Sequence, residues 1–163
     1  MALVIAELKV GGGVLGIGPM PGRGGAYDAD LADLLAWGPG LALTMTTAEE
    51  LASKGADRMP RDLGAAGVDW LHLPISDYGA PTGETLAAWP DASARARDVL
   101  AGGGRVWVHC KGGCGRSGTA ALRLMVEAGE EPSAALERLR AGRPCAVETP
   151  EQFQWAAAGA GAL

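Results

Sequence analysis

The sequence predicts an α/β fold, a central and mainly parallel sheet with helices on both faces. Three observations predict it. Apolar runs of strand length alternate with longer segments of helical periodicity along most of the chain. Val106-Trp107-Val108 is apolar without alternation, as a strand covered on both faces must be. The following stretch, Ser117–Ala128, is apolar nearly all round and reads as a buried central helix.

The remaining elements follow in order. Leu3–Leu8 and Val14–Ile17 read as strands joined into a hairpin by Gly11-Gly12-Gly13. Gly18–Gly25 is so rich in glycine and proline that regular structure is excluded. Tyr27–Trp37 carries Leu31, Leu34 and Leu35 at helical spacing, with Asp28 or Asp30 as the N-cap. Leu41–Met45 is a strand. Thr47-Ala48-Glu49-Glu50 is a capping box opening a short helix that Gly55 ends. Pro60–Gly67 suggests one or two helical turns.

Val68–Pro74 is a further strand, apolar on both faces apart from Asp69 and His72, so it is expected inside the sheet. Ile75–Gly83 is a loop. Glu84–Ala101 is helical, with Pro90 as a kink or as the start of a second segment. Pro132 opens a helix with Ala135, Leu136 and Leu139 inward, and Gly142 stops it. Thr149-Pro150-Glu151-Gln152 opens a last helix, and the tail Ala156–Leu163 is expected to fray.

A chain of 163 residues with this pattern is expected to form a single domain, 1–163, with a real core. The net charge of −5 argues against general nucleic-acid binding and disfavours a polyanionic lipid headgroup, unless a local basic pocket overrides it. Three cysteines do not make a disulfide framework, and they suit a reducing, cytoplasmic setting. The opening MALVIAELKVGGG has Glu7 and no long apolar run, so it does not read as a secretory signal. No stretch has the apolar length of a bilayer span, so no membrane partner is expected.

The chemistry concentrates in Gly104–Gly118, GRVWVHCKGGCGRSG. A strand runs into His109-Cys110, then a glycine-rich loop, then a helix beginning near Arg116-Ser117. Gly112, Gly113 and Gly115 leave the backbone free to turn its amides inward. The helix N-terminus adds positive partial charge, and Arg116 adds a planar fork for two phosphate oxygens. Such surroundings favour a thiolate over a thiol. Cys110 therefore reads as a nucleophile aimed at a phosphate held by Lys111, Gly112, Gly113, Cys114, Gly115 and Arg116. The alternative is a glycine-rich turn with a buried structural cysteine.

The pattern His109-Cys110, five residues, Arg116-Ser117 resembles the His-Cys-x5-Arg-[Ser/Thr] signature of the protein tyrosine phosphatase superfamily. The wider stretch HCKGGCGRSGTAALRLM is most similar to the small dual-specificity branch, in particular the cyclin-dependent-kinase-associated phosphatases. The resemblance spans about Val14 to Trp155. It implies a cysteinyl-phosphate mechanism acting on phosphotyrosine, with phosphoserine and phosphothreonine as further substrates. Phosphorylated protein or peptide is the expected partner, and neither cofactor nor metal is called for. His109, Cys110 and Cys114 also have poor zinc-ligand spacing.

The resemblance extends to other residues. His72-Leu73-Pro74-Ile75-Ser76-Asp77 matches the stretch that carries the family's general acid, which assigns that role to Asp77; Asp69 and Asp91 are its competitors. Ser117 is implied as the hydrogen-bond donor that eases departure of the sulfur, a role compatible with capping the helix. His109 is implied to orient the loop and help hold the thiolate. Glu148 stands where larger phosphatases have the first glutamine of Gln-Thr-x-x-Gln, so Gln152 is either a water-positioning residue or the capping-box partner of Thr149.

Lys111 is shared with lipid phosphatases of the superfamily, but Cys114 stands where those carry a second lysine. Cys114 either traps an oxidised Cys110 as a disulfide or points away from it, and Cys145 reads as a small apolar residue. Other readings keep the loop and change its use. They are a phosphoinositide or small-metabolite phosphatase, a non-catalytic phospho-binding module, or a sulfur-transfer or arsenate-reducing enzyme.

Overall fold

The structure is a computed structural model that describes residues 3–161. Twelve elements follow one another: β1 (Ala6–Val10), β2 (Gly13–Gly18), α1 (Tyr27–Trp37), β3 (Leu41–Thr44), α2 (Ala48–Ser53), α3 (Met59–Ala65), β4 (Asp69–His72), α4 (Gly83–Ala101), β5 (Arg105–His109), α5 (Gly115–Glu127), α6 (Pro132–Gly142) and α7 (Pro150–Ala157). The strands make one sheet in the order β1-β2-β5-β3-β4. β1 is antiparallel to β2, and the other pairings are parallel.

The expected α/β class is therefore what the chain adopts, with the most apolar strand, β5, at the centre. Side chains on β5 alternate between the two faces. Val106 and Val108 join a core with α4, α5 and α6, while Trp107 joins a second core with Leu34, Leu51, Met59 and Leu63 from α1, α2 and α3. Because β2, β3, β4 and β5 run in the same direction, the segments leaving them emerge along one edge of the sheet. That edge is where open α/β sheets gather their ligand groups.

α5 lies buried against the sheet, as its composition predicts, but begins at Gly115, two residues before Ser117. Its one acid, Glu127, is partnered by Trp89 Nε1 (2.9 Å), Arg123 Nε (2.6 Å) and Ser93 Oγ. A buried charge is tolerable only when paired and hydrogen-bonded in this way.

Several local expectations are corrected. β4 is an edge strand, exposed or half-exposed along its length. Leu71 packs on one core and Trp70 on the other, but no strand lies beyond β4, and Asp69 reaches out to Arg95 (3.3 Å). α1 is preceded by Ala26 with no side-chain cap. Asp28 and Asp30 sit inside its first turn, where Asp30 accepts from the Gly22 amide and Asp28 pairs with Arg58. α4 is one continuous helix through Pro90. Of the tail, Ala156 is buried within α7, so fraying does not begin there; Leu163 lies outside the described residues. Both capping boxes, at Thr47 and Thr149, form as expected. No helix among the described residues is long and apolar enough to cross a membrane.

This packing predicts that Leu124→Ala, which empties a fully buried position on α5, lowers unfolding free energy by about 2–5 kcal/mol. Leu86→Ala, at a position 47% exposed on α4, changes it by about 0.5 kcal/mol or less. Urea denaturation of both variants checks the contrast.

Candidate active site

At the end of β5 the chain turns into the loop Cys110–Cys114 and then into α5. Every carbonyl on this path is bound by a group outside the loop's concave side. His109 Nδ1 donates to the Cys110 carbonyl (2.9 Å) and the Met20 amide to Lys111 (3.1 Å). Arg143 donates from Nη2 to Gly112 (2.9 Å) and from Nε to Gly113 (2.8 Å). The Gly118 amide reaches Cys114 (2.9 Å), and Thr119 Oγ1 reaches Gly115 (2.7 Å).

With the carbonyls fixed outward, the amides are left for the inside. Among the described residues no backbone or side-chain acceptor takes the amides of Lys111 to Arg116. A row of free amides at a helix N-terminus is an anion-binding concavity. Gly113 is needed for the turn: its φ is +73°, and a Cβ there would come within 2.6 Å of the Gly18 backbone.

Cys110 lies on the floor of this cup, 3% exposed. Ser117 Oγ is in hydrogen-bond contact with its sulfur at 3.2 Å. The Arg116 side chain is only 2% exposed and is held by three hydrogen bonds to two groups. Its Nη1 donates to Glu50 Oε2 (2.7 Å) and to the Ile75 carbonyl (3.0 Å), and its Nη2 donates to Glu50 Oε1 (2.8 Å). Burial opposes the guanidinium charge, but the Glu50 carboxylate outweighs it and raises the pKa of Arg116. The same hydrogen bonds hold Glu50 down at about 2.

Asp77 stands at the rim, 57% exposed on its side chain, with Oδ1 3.6 Å from Arg116 Nη2. The Tyr78 amide donates to that oxygen (3.0 Å), and Tyr78 itself takes a left-handed φ of 63° that turns the loop. Asp77, Tyr78, Cys110, Lys111, Gly112, Cys114, Gly115 and Arg116 surround one cavity of about 300 Å³. The competing carboxyls do not: Asp69 pairs with Arg95 on β4, and Asp91 borders a different cavity near Leu71.

His109 is wholly buried and stacks on Trp107, ring centroids 4.6 Å apart. A carbonyl can only accept, so Nδ1 carries the proton and Nε2 accepts from Thr44 Oγ1 (2.8 Å). Burial lowers its pKa to about 4. It is a neutral ring that anchors the loop, and it does not stabilise a thiolate by charge.

Gln152 is buried and does not border the cavity. Its Oε1 accepts from the amides of Glu148 (2.8 Å) and Thr149 (3.2 Å), and its Nε2 donates to Gly79 (3.0 Å). Capping is thus what occupies the carboxamide oxygen, and the amide group ties α7 to the loop that bears Asp77. Cys114 is bonded to Cys145, with Cα atoms 5.1 Å apart, and Cys110 is the free cysteine. Cys114 thus takes the second of its two alternatives, away from Cys110, and the reading of Cys145 as a small apolar residue is corrected.

Sequence reasoning missed Glu50, Arg143 and Arg23. Glu50 was legible only as the partner of Thr47, and it serves both Thr47 and Arg116. Arg23 borders the cup and an adjacent apolar cavity, leaning over Gly112.

A thiol under a free-amide cup, beside a buried arginine and a rim carboxyl, defines a phosphatase of the protein tyrosine phosphatase class. The family model described as PTP-SAK: Swiss Army Knife protein, DSP-PTPase phosphatase domain, matches residues 24–156, and the chain belongs to that family as a dual-specificity-type phosphatase. No curated protein matches the sequence.

Among solved structures, the chain is similar to kinase associated phosphatase with a substituted catalytic-site cysteine. The TM-score is 0.84 at 20% identity, covering 100% of this chain and 98% of that one. Tk-PTP in its active form matches with a TM-score of 0.70 at 26% identity, covering 91% and 92%. PTPMT1 in complex with PI(5)P matches with a TM-score of 0.74 at 21% identity, covering 96% and 95%.

Two of the perturbed groups, His109 and Glu50, contribute to an acid limb in stability. Unfolded His109 takes a proton near pH 6.5 that the folded ring refuses until about 4, so stability is full above 6.5 and falls between those values. Glu50 adds a second loss, from 4.5 down to about 2, as its carboxylate is protonated. Melting temperature against pH is expected to fall across both windows. Glu50→Gln removes its share of the lower one and lowers turnover by freeing Arg116.

Proposed function

We propose that this protein hydrolyses phosphotyrosine on protein substrates through a cysteinyl-phosphate intermediate, with phosphoserine and phosphothreonine as shorter, poorer substrates. The observation that carries the reading is the alignment on one cavity of the Cys110 sulfur, the unpaired amides, the fixed Arg116 fork and the Asp77 carboxyl 3.6 Å from it. Cys110 attacks phosphorus from the floor. Arg116 and the amides of Lys111 to Arg116 take the charge on the non-bridging oxygens. Asp77 gives a proton to the departing tyrosine oxygen, and the phosphoryl group rests on sulfur.

In the second step Asp77 takes a proton from water attacking the same phosphorus. Ser117, 3.2 Å from the sulfur, donates to it as it leaves. His109 serves as a loop anchor, and Gln152 holds the acid loop through Gly79. The depth of Cys110 favours a long aryl phosphate. Tyr78, 61% exposed beside Asp77, offers a ring face at the rim.

A second reading has its own observation. Lys111 and Arg23 are exposed cations at the mouth, which suits a multiply charged inositol headgroup; PTPMT1 holds PI(5)P on a similar fold.

p-Nitrophenyl phosphate turnover is expected to resist EDTA and to be inhibited by vanadate. Cys110→Ser lowers it by at least about a thousandfold. Asp77→Asn lowers it about a hundredfold or more while leaving phosphate affinity near wild type. Full activity in Cys110→Ser overturns the covalent mechanism. Faster turnover of inositol phospholipids than of phosphotyrosine peptides replaces the first substrate reading with the second.

A further inference from the structure

The segment Arg143–Glu148 wraps the outside of the phosphate loop, and its contacts are denser than a connection between two helices requires. Arg143 takes two consecutive loop carbonyls, those of Gly112 and Gly113. Cys145 is bonded to Cys114, the residue immediately before α5, whose side chain makes no cap of its own. The Val147 amide reaches toward the Cys114 carbonyl (3.4 Å). Ala146 and Val147 pack so closely on Gly118 that a Cβ there would lie 2.7 Å from the Val147 nitrogen. Val147 is held at a φ of 64°, an unusual conformation for a β-branched residue. Such strain persists only where surroundings over-determine it, and Arg140 fixes this turn through the Ala146 and Val147 carbonyls.

We propose that Arg143 and Cys145 are positioning residues for phosphate binding, Arg143 through the carbonyls of Gly112 and Gly113, and Cys145 through its bond to Cys114. Cutting that bond loosens the oxyanion cup. The proposal rests on the phosphatase reading above. The physical basis is that amides can point inward only while the carbonyls of the same peptide planes are held outward. Cys114 is the pivot at which the loop becomes helix, and its bond to Cys145 closes a covalent ring across 31 residues.

The two sulfurs differ in access from the nucleophile. Cys145 is exposed and Cys114 half-buried, while Cys110 is nearly sealed at the cup floor. A soluble dithiol therefore reaches Cys145 first. Its thiolate attacks Cys145 Sγ and Cys114 leaves as thiolate. The second thiol of the reagent then closes on the first and frees Cys145. Two electrons pass to the protein, two protons complete the thiols, and the dithiol ends as a cyclic disulfide.

The test uses the full chain in a Cys110→Ser background, so that binding is read without turnover and without oxidation of the nucleophile. Inorganic phosphate is the probe, measured by calorimetry before and after treatment with dithiothreitol. Dithiol treatment is expected to raise the phosphate Kd about tenfold, the loss of roughly one well-made hydrogen bond to a charged group. Cys145→Ser should have the raised Kd with or without dithiol. Arg143→Ala should raise it as well, with partial rescue in Arg143→Lys.

With Cys110 intact, kcat/KM for p-nitrophenyl phosphate should fall about tenfold in the same forms, with its pH profile unchanged and with partial rescue in Arg143→Lys. If Cys145→Ser does not fold, dithiol titration of the folded chain, followed by circular dichroism, carries the comparison. An unchanged phosphate Kd across these forms overturns the proposal. Peptide mapping that finds Cys114 and Cys145 as separate thiols under oxidising conditions does the same. Absence of turnover on every phosphomonoester, with the Kd response intact, instead overturns the phosphatase reading alone.

Discussion

The site depends on one constraint: the carbonyls between Cys110 and Gly115 are all occupied from outside the loop. A peptide plane has an acceptor at one edge and a donor at the other. Binding the acceptor outward turns the donor inward. Six neighbouring residues do this work from four directions: His109 from β5, Met20 from the loop after β2, Gly118 and Thr119 from α5, and Arg143 and Val147 from the segment after α6. The anion site is thus built by the surrounding protein on a glycine-rich loop that has no intrinsic reason to prefer this shape. Parallel strand direction makes it feasible, because it brings those neighbours to one edge of the sheet.

The second constraint is electrostatic. A guanidinium as buried as Arg116 needs a fixed counter-charge, since an unpaired charge there costs several kcal/mol. Glu50 supplies it in bidentate geometry. Its placement comes from the capping box at Thr47, which anchors the same carboxylate at the start of α2. One side chain therefore closes a helix end and aims a catalytic-loop arginine. The fork is preorganised, so its rotamer freedom is lost on folding rather than on substrate binding. His109 follows the opposite logic. Its buried position and two neutral partners keep the ring uncharged, so it braces the loop without competing with Arg116 for the anion.

Local pattern made much of this legible. An unbroken apolar strand, a glycine-rich loop and an apolar helix declared the centre of the fold. The spacing of Cys110 and Arg116 declared the candidate site, the family resemblance added Asp77, and the structure brings all three to one cavity. The illegible parts are long-range. Glu50 is 66 residues from Arg116, and Arg143 is 30 residues from Gly113; neither spacing carries a periodic signal. β4 misled because hydrophobicity on both faces usually means an interior strand. Here Trp70 packs on one face and Leu71 on the other, yet β4 ends the sheet with no strand beside its outer edge. Cys114 and Cys145 misled because an odd cysteine count suggests independent thiols, and a pairing across 31 residues carries no local signal.

The two ends of α7's entry segment bear on both halves of the reaction we propose. Upstream, Arg143 and Cys145 hold the phosphate loop; downstream, Gln152 caps α7 and donates to Gly79, two residues beyond Asp77. Thr149 adds a longer contact to Tyr78 (3.4 Å). The acid loop and the anion loop never need to contact each other extensively, because a common strut sets their separation. Asp77 remains exposed at the rim, while the backbone that carries it is pinned just beyond the turn. That division matches what the chemistry asks of each part. The oxyanion cup must be rigid before the substrate arrives. In the mechanism we propose, the acid follows an oxygen that moves as its bond to phosphorus lengthens, and then turns toward an incoming water.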